Sequence, residues 1–108
     1  MRLVIVESPF AGDTEKHTRY ARACLADCLR RGDAPFASHL LYTQPGVLDD
    51  GIHEERVLGI EAGLAWGCVA ELTAVYTDCG ISNGMKMGVT RALAEGRHVE
   101  YRSIPDWR

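Results

Sequence analysis

Three segments of this 108-residue sequence carry the side chains most able to do chemistry. They are Glu7-Ser8-Pro9-Phe10-Ala11-Gly12-Asp13, the stretch from Ser38 to Asp50 with His39, Asp49 and Asp50, and Asp78-Cys79-Gly80-Ile81-Ser82-Asn83-Gly84-Met85. Arg56 follows Glu54 and Glu55 and is a candidate for phosphate recognition. Carboxylates accept hydrogen bonds from sugar hydroxyls and base N–H groups, and a helix start preceded by a glycine-bearing loop accepts a phosphate. The set suits a sugar or a sugar phosphate. Plainer roles stay open for each. Asp49, Asp50 and Asp78 are also good turn formers, His39 is also a common structural residue, and Gly80 and Gly84 also serve tight backbone.

The elements around these segments explain why they would meet. Leu3-Val4-Ile5-Val6 and Leu72-Thr73-Ala74-Val75-Tyr76-Thr77 read as strands covered on both faces. Ala21, Cys24, Leu25, Cys28 and Leu29 mark a helix from about Thr14 to Arg31, capped by Asp13 or Thr14 and closed by Gly32. Ala34 to Tyr42 reads as a short strand running into a loop, and Thr43 to Gly51 as a surface loop. A second helix runs from His53 to Trp66 with Val57, Ile60 and Leu64 on one face; Gly59 and Gly63 imply close packing there. Met85, Val89, Ala92 and Leu93 give the stripe of a last helix, with Ser82 as its N-cap and Gly96 as its stop. His98 to Tyr101 is a final strand. Strands alternating with helices predict one α/β domain over 1–108: three layers, flavodoxin- or Rossmann-like, around a mostly parallel sheet of four or five strands. Loops after parallel strands gather at one edge, where ligands bind. The predicted pocket therefore lies between Ser8 to Gly12 (Pro9 and Phe10 included), His39 and Asp78 to Met85.

Composition narrows the alternatives. Apolar residues make up 46% and charged residues 25%, with a net charge of −3 and no basic cluster, which argues against a nucleic acid polymer as partner. No run approaches the length of a membrane span, and Leu3 to Val6 is too short for a signal core, so the expected location is cytoplasmic. Cys24 and Cys28, four apart on a helix, are expected as buried thiols. No ligand spacing calls for a metal, and no cofactor is implied.

The order of segments resembles the nucleoside 2-deoxyribosyltransferase-like superfamily, which includes nucleotide N-glycoside hydrolases, and especially its small, often phage-borne relatives. The resemblance rests on Val4-Ile5-Val6-Glu7-Ser8-Pro9-Phe10, Pro35-Phe36-Ala37-Ser38-His39-Leu40 and Ser82-Asn83-Gly84-Met85, and it spans nearly the whole chain. It implies a nucleoside or nucleotide as ligand, with Ser82 near the ribose 5′ end and Asp78 near the base. It also implies a nucleophilic Glu on the last helix, which would form a covalent sugar intermediate. The matching position here is Gly88.

Two readings follow from that departure. In the first, the protein acts on an N-glycosidic bond by deoxyribosyl transfer or hydrolysis, with Glu7 or Asp78 as the working carboxylate. Ser8, Pro9, Phe10, Gly12, His39, Asp50, Arg56, Ser82, Asn83, Gly84 and Met85 would then bind the substrate. In the second, the pocket binds a nucleotide without chemistry, as a sensor or sequestering module. Both readings expect a homo-oligomer, because the domain is small, the middle helix carries Gly59, Gly63 and Trp66, and the family resemblance implies shared pockets.

Overall fold

β-Branched runs become strands and apolar stripes become helices in the computed structural model, which describes residues 1–107. In chain order the elements are β1 (Leu3–Glu7), α1 (Thr14–Arg30), β2 (Ala34–Phe36), α2 (Ser38–Tyr42), α3 (His53–Gly67), β3 (Leu72–Tyr76), α4 (Asn83–Ala94) and β4 (His98–Arg102). All three strand pairings are parallel, in the order β2-β1-β3-β4. This is the expected flavodoxin-like α/β architecture with four strands. The order reverses between β1 and β3, so the crevice beyond their C-terminal ends is the natural ligand position.

The two faces of the sheet are built differently. Val4 and Val6 of β1 with Leu72, Ala74 and Tyr76 of β3 pack against Tyr20, Cys24 and Cys28 of α1 to form the core. Both cysteines are free and buried there, as expected. Because successive strand residues alternate faces, Ile5, Glu7, Thr73 and Val75 point to the other side. That side is covered by α3 and α4. β3 is fully buried. β1 is buried at Val4 and Val6, whereas Ile5 and Glu7 are only partly buried because a cavity lies over them.

Local differences from expectation have local causes. The strand starting at Ala34 stops at Phe36, and Ser38–Tyr42 turns into α2. Its first turn is closed by Leu40 N–H donating to the Ala37 carbonyl at 3.2 Å. The absence of a side chain at Gly63 lets α2 lie against α3, since a Cβ there would sit 2.7 Å from Ser38 Cβ. On α4 the buried face is Met85, Gly88 and Ala92, while Leu93 is exposed. The helix is rolled so that Gly88, rather than Leu93, faces the sheet.

Candidate functional site

The sheet face beneath α3 and α4 carries a cavity of about 380 Å³. Its wall is drawn from β1, the loop after it, α2, α3 and α4. Of the sequence-predicted residues it gathers Glu7, Ser8, Phe10, His39, Asp50, Arg56, Ser82, Asn83, Gly84 and Met85. Ile5, Phe36, Ile60 and Leu64 make the apolar part.

Glu7 ends β1 and projects into the space in front of Gly88. A Cβ built on Gly88 would collide with the Glu7 carboxyl group, so the carboxyl occupies the space that a side chain at position 88 would enter and would have to swing away from one. Among the described residues no hydrogen bond satisfies the Glu7 carboxyl oxygens, and no side-chain oxygen is left both fully buried and unpartnered, so they keep access to the cavity. Burial pushes the Glu7 pKa up to about 8, against a smaller lowering by the Arg97 charge. A half-buried carboxyl without a hydrogen-bond partner among the described residues, beside open space, is the arrangement that marks working acids and bases.

His39 stands in the first turn of α2. Its Nε2 lies 3.2 Å from Ser8 Oγ, and its ring packs in a T-shape with Phe10 at a centroid distance of 5.4 Å. Burial lowers its pKa to about 4 although Asp50 pulls the other way, so the ring is neutral at pH 7. Ser82 caps α4, its Oγ accepting from Met85 N–H at 3.2 Å, and leaves the N–H groups of Asn83 and Gly84 without helical partners. Those groups carry the positive end of the helix dipole.

Asp78 belongs elsewhere. Its Oδ2 accepts from Tyr20 O–H at 2.6 Å and from Ile104 N–H at 2.9 Å, and its own N–H donates to the Tyr20 hydroxyl oxygen at 2.9 Å. It ties the segment after β4 to α1 and does not line the cavity. Pro9 and Gly12 do not line it either; Gly12, at φ 92°, makes the turn into α1. Asp49 accepts from Gly51 N–H at 2.9 Å, the plain turn role.

One wall residue carries no signal in the sequence. Arg97, just past the Gly96 stop of α4, lines the cavity with its side chain 6% exposed. It follows a helix rather than a strand, so the rule that sites gather after strands passes it over. Its length lets it run back along β3 to the cavity. Among the described residues no cluster of His, Cys, Asp and Glu could hold a metal ion, and no helix is long and apolar enough to cross a membrane.

The chain belongs to the family described as a domain of unknown function, DUF7768, whose model matches residues 2–102. No curated protein matches it. Among solved structures it is similar to a 2-deoxyribosyltransferase from the psychrotolerant bacterium Bacillus psychrosaccharolyticus. The similarity has a TM-score of 0.66 at 20% identity, over 98% of this chain and 75% of that one. At that identity the likeness establishes a shared fold.

Proposed function

We propose that this member of the DUF7768 family takes a nucleoside or nucleotide into the cavity and acts on its N-glycosidic bond, with Glu7 as the reacting carboxylate. The observation that carries the reading is where Glu7 sits. The resemblance to nucleoside 2-deoxyribosyltransferases calls for a carboxylate at the position of Gly88, and the space that side chain would enter holds the Glu7 carboxyl group instead. An acid thus stands against α4, delivered by β1 rather than by the helix.

In its ionised form Glu7 attacks the anomeric carbon. The electrons of the C–N bond leave with the base, which takes a proton from solvent. Water then cleaves the glycosyl ester and restores the carboxylate, or a second base takes the sugar. Ser8, His39 and Asp50 suit sugar hydroxyls, and Phe10 and Phe36 suit a base. Arg56 with the α4 N-terminus suits a phosphate. Since the nucleophile is the ionised form, activity rises with pH through about 8.

The test is to incubate the protein with 2′-deoxynucleosides and 5′-monophosphates, with and without an acceptor base, from about pH 6 to 9. Free base is followed by chromatography and the covalent adduct by mass spectrometry. Base release that climbs to a plateau above about pH 8 and disappears in Glu7→Gln is expected. Absence of both release and adduct across the range refutes the reading.

A second reading, binding without chemistry, is favoured by the proton that Glu7 holds at neutral pH, which makes it a hydrogen-bond donor. A nucleotide that raises the melting temperature without being cleaved supports it. For the assembly we propose a homo-oligomer through α3, whose Leu58 and Trp66 are 56% and 53% exposed. Light scattering that shows a monomer at tens of micromolar, roughly the range of ordinary interface affinities, overturns this part.

A further inference from the structure

Glu7 is not the only charged side chain that lies against a helix glycine. On α3 a Cβ added to Gly67 would lie 3.1 Å from Arg97 Nη2 and 3.5 Å from its Cζ. Two glycines on neighbouring helices thus each admit one charged group, Gly88 an acid and Gly67 a guanidinium, and all four residues line the same cavity.

The guanidinium is held rigidly. Its Nε donates to Thr73 Oγ1 on β3 at 2.9 Å, and its Nη1 donates to the Gly67 carbonyl at 2.6 Å and to Glu95 at 2.7 Å. Among the described residues Nη2 has no partner. Since no side-chain nitrogen is both fully buried and unpartnered, Nη2 keeps access to the cavity. Its ion pair is with Glu95 at the surface, so Glu7 and Arg97 face the cavity without closing on each other. The other charged or titratable groups on the wall are His39 on α2, Asp50 in the loop and Arg56 on α3, and Arg97 is the one whose charge acts on Glu7.

We propose that Arg97 is a positioning residue for Glu7: fixed beneath Gly67 by Thr73, the Gly67 carbonyl and Glu95, it supplies the positive charge that favours the carboxylate in a cavity otherwise hostile to it. The proposal rests on the reading of Glu7 as the reacting carboxylate, but its test does not need turnover. Without Arg97 the desolvation of Glu7 goes unopposed and its proton is held more tightly.

Protein labelled with ¹³C at the glutamate side-chain carboxyl reports the Glu7 titration directly, its signal assigned by loss in Glu7→Gln. In Arg97→Gln the midpoint should rise by about one pH unit or more, the usual scale for losing a nearby opposite charge. Arg97→Lys, which keeps the charge, should return most of that shift. If base release is measurable, its pH profile should move by the same amount. Thr73→Val serves where Arg97→Gln does not fold: it removes the Nε acceptor with an isosteric strand residue, and the midpoint should still rise, by less. A folded Arg97→Gln with an unchanged midpoint overturns the proposal, as does an unchanged midpoint in Thr73→Val when that is the readable variant. A shifted midpoint in a protein that turns nothing over leaves Arg97 as the charge that tunes Glu7 and refutes the glycosidic reading alone.

Discussion

The two faces of the sheet treat an inward carboxylate in opposite ways. On the α1 face the buried charges among the described residues are paired. Arg102 donates to Asp33 at 3.0 Å and to the Tyr76 hydroxyl at 3.3 Å, Asp33 also accepts from Arg2 at 3.2 Å, and Tyr76 donates to Asp27 at 2.6 Å. Burial there pushes Asp33 up, yet the bonds from Arg102 and Arg2 hold its pKa below the ordinary value. Asp27 behaves the same way, with Tyr76 and Arg31 outweighing burial. On the cavity face Glu7 has no such bonds among the described residues, and desolvation wins. The difference separates two uses of a charged residue. Paired charges lock the last strand to the turn that follows the first helix, and removing one partner is severe. An unpaired charge with space in front of it is left to be completed by a ligand.

The sharpest way to break this comparison is on the paired side. Arg102→Met should lower stability by about 3–5 kcal/mol, because Asp33 stays buried without its main partner. Denaturant unfolding checks it, and a loss below about 1 kcal/mol, the size expected of a surface pair, would erase the contrast. Second in size is the Gly88–Glu7 contact. Gly88→Ala should destabilise the native chain and be far better tolerated beside Glu7→Ala, with a coupling of about 1–3 kcal/mol in a double-mutant cycle. Additive losses would mean that the two residues do not compete for space.

Third is a pH effect. The folded-state pKa of Glu7, about 8, lies above its ordinary 4.5, so the folded state binds that proton more tightly than the unfolded chain. The resulting stabilisation is complete below about 4.5 and is lost as pH rises to about 8. Glu7→Gln has no such loss. Its melting temperature relative to the native chain should therefore climb across that window, by roughly 5 °C or more, and stay level above it. A flat difference would place the Glu7 carboxyl in water. Smallest is Ser82→Ala, which removes the cap of α4 and should lower stability by roughly 1 kcal/mol. If the same helix end also holds phosphate, this variant should weaken binding of a nucleotide more than that of its nucleoside, as read by titration calorimetry.

Much of this layout was legible in the sequence because its signals are local. Leu3 to Val6 and Leu72 to Tyr76 announce buried strands by composition, Asp13 and Gly32 bracket α1, and Ser82 caps α4 as its position suggests. What stayed hidden depends on contacts between elements. The five-residue α2 is too short to show a period, and it leans on Gly63. The roll of α4 toward Gly88 is invisible to a hydrophobic pattern, since glycine adds nothing to a stripe. Asp78 sits on a loop that looks right for the cavity, but the hydroxyl of Tyr20 takes it to the opposite face. Glu7 is readable as a polar residue closing an apolar strand; that it stands against Gly88 is a fact of three dimensions alone.

The seat shared by Glu7 and Gly88 has a consequence for how related chains are found and compared. The Glu7 carboxyl fills the space that a side chain at position 88 would enter, so the acid and the glycine should tend to exchange together. Chains with an acid at the end of the first strand should keep glycine on the second turn of the last helix, and chains with an acid on the helix should carry something smaller at the strand end. A linear pattern written around the helix acid discards every chain of the first kind. A spatial template that asks for a carboxylate against that helix turn, whatever segment delivers it, keeps both.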